Sequence, residues 1–429
     1  MHRIMQKVKN IKEHLYNTGF VHVFGSDVIN QMFAFISGIL LVRIMSKTEY
    51  GVYSYAYNIV HIFLIFNGLG VTSAMLQTCS EESRNEIRES YFFYARKVGI
   101  LFDILLGISL ALVAWFVPFK LRGAGEILIF MCLMPLGILA FQIRLTYLRA
   151  TIRMKEFSYA NLCNTLLYFI FSIVGVLLFH VKGLVFGQTL SYFLTTALIT
   201  IFFRMSISFP RKKLSRERRY DFMKIALISA ATAGISQIMN VLDVFILGIQ
   251  IPDERIIASY KVATVIPLSM VIIPNAVVTC VYPYFAKNKD NRQWLEVNYK
   301  RLLCLVGAVN AMISFLLIVL SPVIVRLVFG AQYLDAVPAF CVFALNYFFT
   351  GTFNSISGNL LVTQRKLKFN FWRSLIMGGI NLIGNIVLIS MFGAVGAAIS
   401  TLGVGIIGGL AATWKMAVTI RGKTDVQKK

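Results

Sequence analysis

Residues 97–118 read KVGILFDILLGISLALVAWFVP, with Lys97 at the edge and Asp103 as the one charge inside. A helix of about twenty apolar residues crosses the ~30 Å hydrocarbon core of a bilayer. The apolar residues run on without period-two alternation, which argues against a strand of a membrane β-barrel. The same pattern recurs along the chain. Of its 429 residues 57% are apolar and 14% charged, whereas a soluble domain carries about a quarter charged residues. Twelve spans are predicted, at 20–43, 53–76, 97–118, 126–143, 158–179, 184–204, 223–249, 258–285, 302–325, 337–362, 370–392 and 395–417. Several exceed twenty residues, which implies tilt or helix continuing beyond the lipid. The fourth span, at eighteen residues, is the shortest, and the last two are separated by a turn placed at Gly393 and Gly396. No segment between spans exceeds roughly twenty-two residues. The fold class is therefore all-α integral membrane, with no room for a sizeable soluble domain.

Orientation follows from Lys and Arg. The first nineteen residues are polar and basic, with Arg3, Lys7, Lys9 and Lys12. The apolar run after them is too long for a signal-peptide core, and no small-x-small cleavage site follows it. It reads as a retained first span. With the N-terminus inside, the outer face keeps Arg43, Lys47, Lys120, Arg122, Lys182, Arg255, Lys261 and Arg326, and the other 34 of the 42 basic residues fall inside. Such a bias predicts an even number of spans with both termini cytoplasmic. The net charge of +23 thus reports topology. The basic loop Arg211–Arg219 reads as an anchor near anionic lipid rather than a nucleic-acid site. The six cysteines include no C-x-x-C, and no His pair stands at metal spacing. They read as small apolar fillers, with neither disulfide nor metal expected.

The chain also looks duplicated. Arg153-Met154-Lys155-Glu156-Phe157, a span, then Val181-Lys182-Gly183 is echoed about 213 residues later by Lys366-Leu367-Lys368-Phe369-Asn370, a span, then Ala394-Val395-Gly396. Val52-Tyr53-Ser54-Tyr55-Ala56 is echoed about 207 residues later by Ser259-Tyr260-Lys261-Val262-Ala263. Six spans on each side of the loop 205–222 suggest two parallel repeats, residues 1–210 and 211–429. An even span count returns the chain to the same side, and such repeats usually flank a central substrate path.

Three stretches carry a resemblance. Arg43-Ile44-Met45-Ser46-Lys47-Thr48-Glu49-Tyr50-Gly51-Val52-Tyr53 looks like the signature loop of polysaccharide flippases. Val325-Arg326-Leu327-Val328-Phe329-Gly330-Ala331-Gln332-Tyr333 resembles their second-half motif, and Phe392-Gly393-Ala394-Val395-Gly396-Ala397-Ala398 is similar to their last hairpin. The resemblance covers nearly the whole chain. It is to the polysaccharide transporter family (O-antigen, Wzx-type flippases) of the multidrug/oligosaccharidyl-lipid/polysaccharide exporter superfamily. It implies two six-helix lobes in a V, related by pseudo-two-fold symmetry, and alternating access. The implied cargo is an undecaprenyl-pyrophosphate-linked oligosaccharide moved outward across the bacterial plasma membrane. Other polysaccharide assembly proteins are the implied partners beside membrane lipids.

An ionisable residue inside a membrane is costly and is a functional candidate by default. Asp27, His61, Asp103 and Asp243 lie within spans 1, 2, 3 and 7, as coupling groups or as structural polar contacts. Arg43, Arg326 and Lys261 near the outer ends, with Arg144 and Arg149 on the inner side, are candidate contacts for a diphosphate. The competing reading is that they snorkel to the interface. Amides such as Asn275, Asn310, Asn354, Asn381 and Asn385 serve either as interhelical glue or as a sugar-wetted wall. Gly405 and Gly409 form a G-x-x-x-G packing surface. No ATP site is expected: Gly422-Lys423-Thr424 resembles the end of a P-loop, but Ala417 stands where its first glycine belongs. The chain is expected to be no enzyme, without catalytic residues or cofactor. The alternatives are a drug or cation antiporter of the same superfamily and a membrane-embedded polysaccharide transferase or polymerase. The missing long extramembrane loop with paired carboxylates weighs against the last.

Overall fold

A computed structural model describes residues 20–203 and 213–422, and no β-strand occurs among them. The helices in the first half are α1 (Phe20–Ile44), α2 (Lys47–Leu64), α3 (Val71–Glu81), α4 (Asn85–Phe116), α5 (Ala124–Met131), α6 (Met134–Ala150) and α7 (Met154–Phe202). They are followed by α8 (Arg216–Gln250), α9 (Glu254–Ser269), α10 (Ile272–Lys287), α11 (Arg292–Val319), α12 (Ser321–Val328), α13 (Val337–Phe349), α14 (Ser355–Thr363) and α15 (Leu367–Arg421). Short 3-10 turns at Asn67–Gly70 and Ala331–Ala336 and a π-helical turn at Thr350–Asn354 join neighbouring pieces.

Among the described residues eight helical segments are long and apolar enough to cross a membrane, and Ile29–Ile44 and Val241–Gln250 are shorter apolar helices. Two of the eight run through two expected spans each: α7, with 49 residues, and α15, with 55. All twelve expected spans are thus helical in their described parts. The chain forms two compact units, Met1–Met45 with Ala56–Ile238 and Ser46–Tyr55 with Met239–Lys429. In the first, α1 and α6 pack along α7, while α4 packs on α6. Its core is built around Val71, Met75, Phe92, Leu139, Leu148 and Phe222. In the second, α13 packs on α9, α11 and α15, and α14 packs on α10 and α15. Leu295, Ile356, Leu360, Ala412 and Met416 fill its core.

Both long helices are hairpins. In α7 the direction changes at Phe179 and His180, the latter at φ 51°, ψ −139°. In α15 it changes at Gly393, at φ 58°, ψ −135°. The two reversals share a backbone conformation and lie about 213 residues apart, the interval of the sequence echo. Glycine adopts this region readily; His180 adopts it at a cost of roughly 1–3 kcal/mol. The arms then meet without side chains between them. A Cβ on Gly183 would collide with the Gly175 carbonyl oxygen, and one on Gly396 with the Leu388 carbonyl oxygen. Gly183 and Gly396 are equivalent positions of the two repeats. Gly393 therefore makes the last turn, and Gly396 allows the close approach that follows it.

Gly396→Ala should force these arms apart and destabilise the detergent-solubilised protein by roughly 1–3 kcal/mol, the usual cost of overpacking. Gly403, whose added Cβ meets nothing within 4 Å, is the control on the same helix. Equal thermal midpoints for Gly396→Ala and Gly403→Ala would disprove the close-packing account.

Candidate functional site

Within a membrane a broken helix must find partners for its exposed backbone groups. The second span breaks between α2 and α3, where Gly68, Leu69 and Gly70 all have positive φ. Asp103, from the middle of α4, supplies the partner. Its carboxylate accepts from the Gly68 N–H at 2.7 Å and from the Asn67 amide at 2.9 Å, and that amide also donates to the Pro135 carbonyl at 3.0 Å. Pro135 stands at the start of α6, after the break in the fourth span. Asp103 is 1% exposed. The corresponding residue in the second unit is Asn310 on α11. Its oxygen accepts from the Tyr347 hydroxyl at 2.7 Å, and its amide donates to the Thr352 hydroxyl in the π-helical turn at 3.1 Å. Asn310 is fully buried. One polar residue thus sits at equivalent depth in each unit and meets the irregular part of neighbouring spans.

Asp243, on α8, lies in the second unit within a ring of neutral donors. It accepts from Asn385 at 2.6 Å, from Tyr260 at 3.0 Å and from Thr401 at 3.0 Å. Asn385 also donates to Asn381, so the i, i+4 amide pair seen in the sequence is part of this ring. Lys261 is near enough for its charge to act on Asp243. No ion pair between the two is found among the described residues; the direct contacts are the neutral ones.

Two of the sequence motifs converge in the second unit. Ser46 and Glu49 form a capping box at the start of α2: the Glu49 carboxylate accepts from the Ser46 N–H at 3.0 Å, and the Ser46 hydroxyl accepts from the Glu49 N–H at 3.2 Å. The cap orients Lys47. Its ammonium contacts both Asp335 carboxylate oxygens at 2.7 Å and the Gln332 carbonyl at 2.9 Å, and it lies 5.3 Å from the centre of the Tyr333 ring. Ser259 donates to Asp335 at 2.8 Å. Gly51 is required here, because a Cβ would collide with the Glu254 carbonyl oxygen.

A polar wall runs along α10. Asn275, Thr279 and Tyr282 lie on one face, and with Val278 and Asn359 of α14 they line a cavity of about 390 Å³. One turn into α15, Arg373 donates to the Asn354 side chain at 2.5 Å and to the Gly408 carbonyl at 2.8 Å. Its Nε is buried without a partner. Gly405 and Gly409 pack as a close surface, against Asn346 and Phe353 respectively.

The remaining sequence candidates are dispersed. Arg144 is half-buried and engaged, donating to the Thr200 hydroxyl at 2.6 Å and the Ala140 carbonyl at 2.9 Å. Arg43, Arg149 and Arg326 are exposed. His61 packs edge-on against Tyr57, with ring centres 4.5 Å apart. Asp27 lies on α1, with its side chain outside the described residues. All six cysteines are unpaired with one another. Reading the sequence missed Arg373 and the Lys47–Asp335 pair. Arg373 lies three residues inside the expected span 370–392, beside the basic residues Lys366 and Lys368. The pair joins residues too far apart in sequence for any local signal.

The fold is shared with solved structures of a flippase and of a multidrug transporter. A solved structure of the lipid II flippase MurJ, in an inward closed conformation, superimposes with a TM-score of 0.74 at 18% identity, over 92% of this chain and 87% of that one. An inward-facing multidrug resistance MATE family transporter gives 0.62 at 14% identity, over 95% and 99%. A family model described as polysaccharide biosynthesis protein matches residues 40–338, and the chain belongs to that polysaccharide transporter family. Among curated relatives, the lipopolysaccharide biosynthesis protein WzxC of Escherichia coli is 29% identical over 171 residues, which is 39% of this chain and only 33% of that relative's length. An uncharacterized membrane protein of Methanocaldococcus jannaschii is 24% identical over 406 residues, 86% of this chain and 77% of that one.

If Asp103 is the partner of the broken second span, Asp103→Leu leaves the Gly68 N–H buried and unpaired. The expected loss is roughly 1–3 kcal/mol. Asp103→Asn keeps one acceptor oxygen and should fall between wild type and Asp103→Leu in thermal unfolding. A leucine variant as stable as wild type would remove Asp103 from this role.

Proposed function

We propose that the protein is a flippase for a lipid-linked oligosaccharide. It moves an undecaprenyl-pyrophosphate-linked repeat outward across the bacterial plasma membrane by alternating access, with both its termini in the cytoplasm. The observation that supports this most is the polar wall of α10. Amide, hydroxyl and phenol groups on an otherwise apolar span suit a cargo rich in hydroxyls, and they carry no net charge. Arg373 adds a guanidinium at the end of the same unit, where its Nε has no protein partner. Guanidinium binds phosphate oxygens through two parallel hydrogen bonds and keeps its charge when buried. In this reading Arg43, Arg149 and Arg326, all exposed, are accessory contacts along the path. Asp243, His61 and Asp27 are the remaining candidates for coupling.

The antiporter alternative has the MATE fold on its side. A cationic drug needs a carboxylate facing the cargo. Asp103 is engaged with the broken second span, and Asp243 with Asn385, Tyr260 and Thr401. Neither is presented as an open acceptor.

Complementation of a strain lacking its own flippase separates the two readings. Asn275→Leu combined with Thr279→Val should cut surface polysaccharide at least roughly tenfold at unchanged membrane level, because each lost sugar hydrogen bond is worth about 1 kcal/mol. Arg373→Ala should abolish it, and Arg373→Lys should restore part, since an ammonium lacks the bidentate geometry. Normal polysaccharide from all three variants would refute the flippase reading.

A further inference from the structure

The second unit carries a basic cavity away from the polar wall. It holds about 430 Å³ and is lined by Lys289, Arg365, Lys366 and Lys415, with Thr419 and, as the one carboxylate among the described residues, Asp290. These residues follow α10, join α14 to α15 and lie near the end of α15. Charge bias places those ends at the cytoplasmic face. Lysines scattered on a loop satisfy that bias by themselves; a cavity lined by four cations is a different arrangement. Gathering them costs mutual repulsion, which an anion in the cavity would offset.

The first unit shows that the fold does not require this charge. The loop 151–153 is the counterpart of 364–366, and Ile152 and Arg365 share a positive φ, 60° and 57°. At the position of Lys289 the first unit has Glu82, which receives Arg84 at 3.1 Å and Arg218 at 2.9 Å. Hydrogen bonds from Arg84 first, and then from Arg218, hold the Glu82 carboxyl down at about 2. At the position of Lys366 it has Arg153, paired with Glu156. The counterpart of Glu156 is Phe369, and Lys415 lies over that ring at 5.6 Å. Two carboxylates that neutralise one end of the first unit are thus a lysine and a phenylalanine in the second. The same backbone encloses a paired cluster in one unit and a cationic cavity in the other.

We propose that this cavity is a phosphate-binding site, able to hold the phosphate or diphosphate of a lipid headgroup or a free phosphate anion. Ammonium and guanidinium groups at a membrane boundary bind such groups through charge-assisted hydrogen bonds. The site stands independently of the cargo reading, since it is tested by binding rather than transport.

The test uses the purified full-length protein in detergent, with native mass spectrometry and thermal shift against three probes: phosphatidylglycerol, farnesyl diphosphate and inorganic pyrophosphate. Lys366→Gln with Lys415→Gln should weaken binding roughly tenfold or more. Lys366→Arg, at an exposed position, should retain it. Lys120→Gln with Arg122→Gln, in the loop after α4, controls for charge alone and should bind as wild type. Preference for the two lipids identifies a headgroup; equal binding of pyrophosphate identifies a free anion. Unchanged binding of all three probes by the double variant, at wild-type thermal stability, would overturn the proposal. So would an equal loss in the Lys120/Arg122 control.

Discussion

The bilayer offers no water to an exposed peptide group, and the second span is nevertheless broken. The carboxylate of Asp103, accepting from the Gly68 N–H at 2.7 Å, makes that break tolerable. Three consecutive residues with positive φ cannot keep the helical ladder. Without an acceptor at that depth the span would have to stay straight. The first unit then could not pass α3 against α6 and α4 as it does. The amide of Asn67 ties the same carboxylate to the Pro135 carbonyl, so the breaks of spans two and four share one polar centre. A residue that reads as a candidate for coupling is, in this geometry, the keystone of a helix interruption.

The twelve spans were legible because each is a run of about twenty apolar residues, a signal that no other requirement of the fold imitates. The two hairpins were legible because their geometry is sequence-demanding. Gly183 and Gly396 are spaced by the repeat because a carbonyl of the opposite arm occupies the place of a Cβ at both. The reversals at His180 and Gly393 fall in the short gaps between the expected spans, 180–183 and 393–394. His180 makes a reversal with no glycine or proline of its own to mark it. The π-helical turn at Thr350–Asn354 had no local signature either.

The polar sites were legible in kind and not in arrangement. Asn381 and Asn385 share a helix face by spacing alone, and both belong to the Asp243 ring. That Tyr260, rather than Lys261, reaches Asp243 depends on which side of α9 faces α8, and one helical step decides it. Lys47 and Asp335 are brought together by the capping box of Ser46 and Glu49 and by the turn that presents Gln332 and Tyr333. The two motifs looked like separate family signatures. Spatially they are the two sides of one cluster.

The repeats show which part of a residue the fold uses. Asp103 and Asn310 occupy the same place, and both provide a side-chain oxygen as acceptor. The fold requires that oxygen and is indifferent to its charge. Where geometry alone is required, charge is left open to change between the two copies. It has changed at three related places: Asp103 against Asn310, Glu82 against Lys289, and Glu156 against Phe369. Each difference removes negative charge from the second unit. In the first unit the carboxylates are consumed, by a broken span and by arginines at its end. In the second, Asp290 is the one carboxylate among the described residues that line the basic cavity. The scaffold keeps its close hairpin packing at both Gly183 and Gly396, while the charge at these corresponding positions differs between the two units.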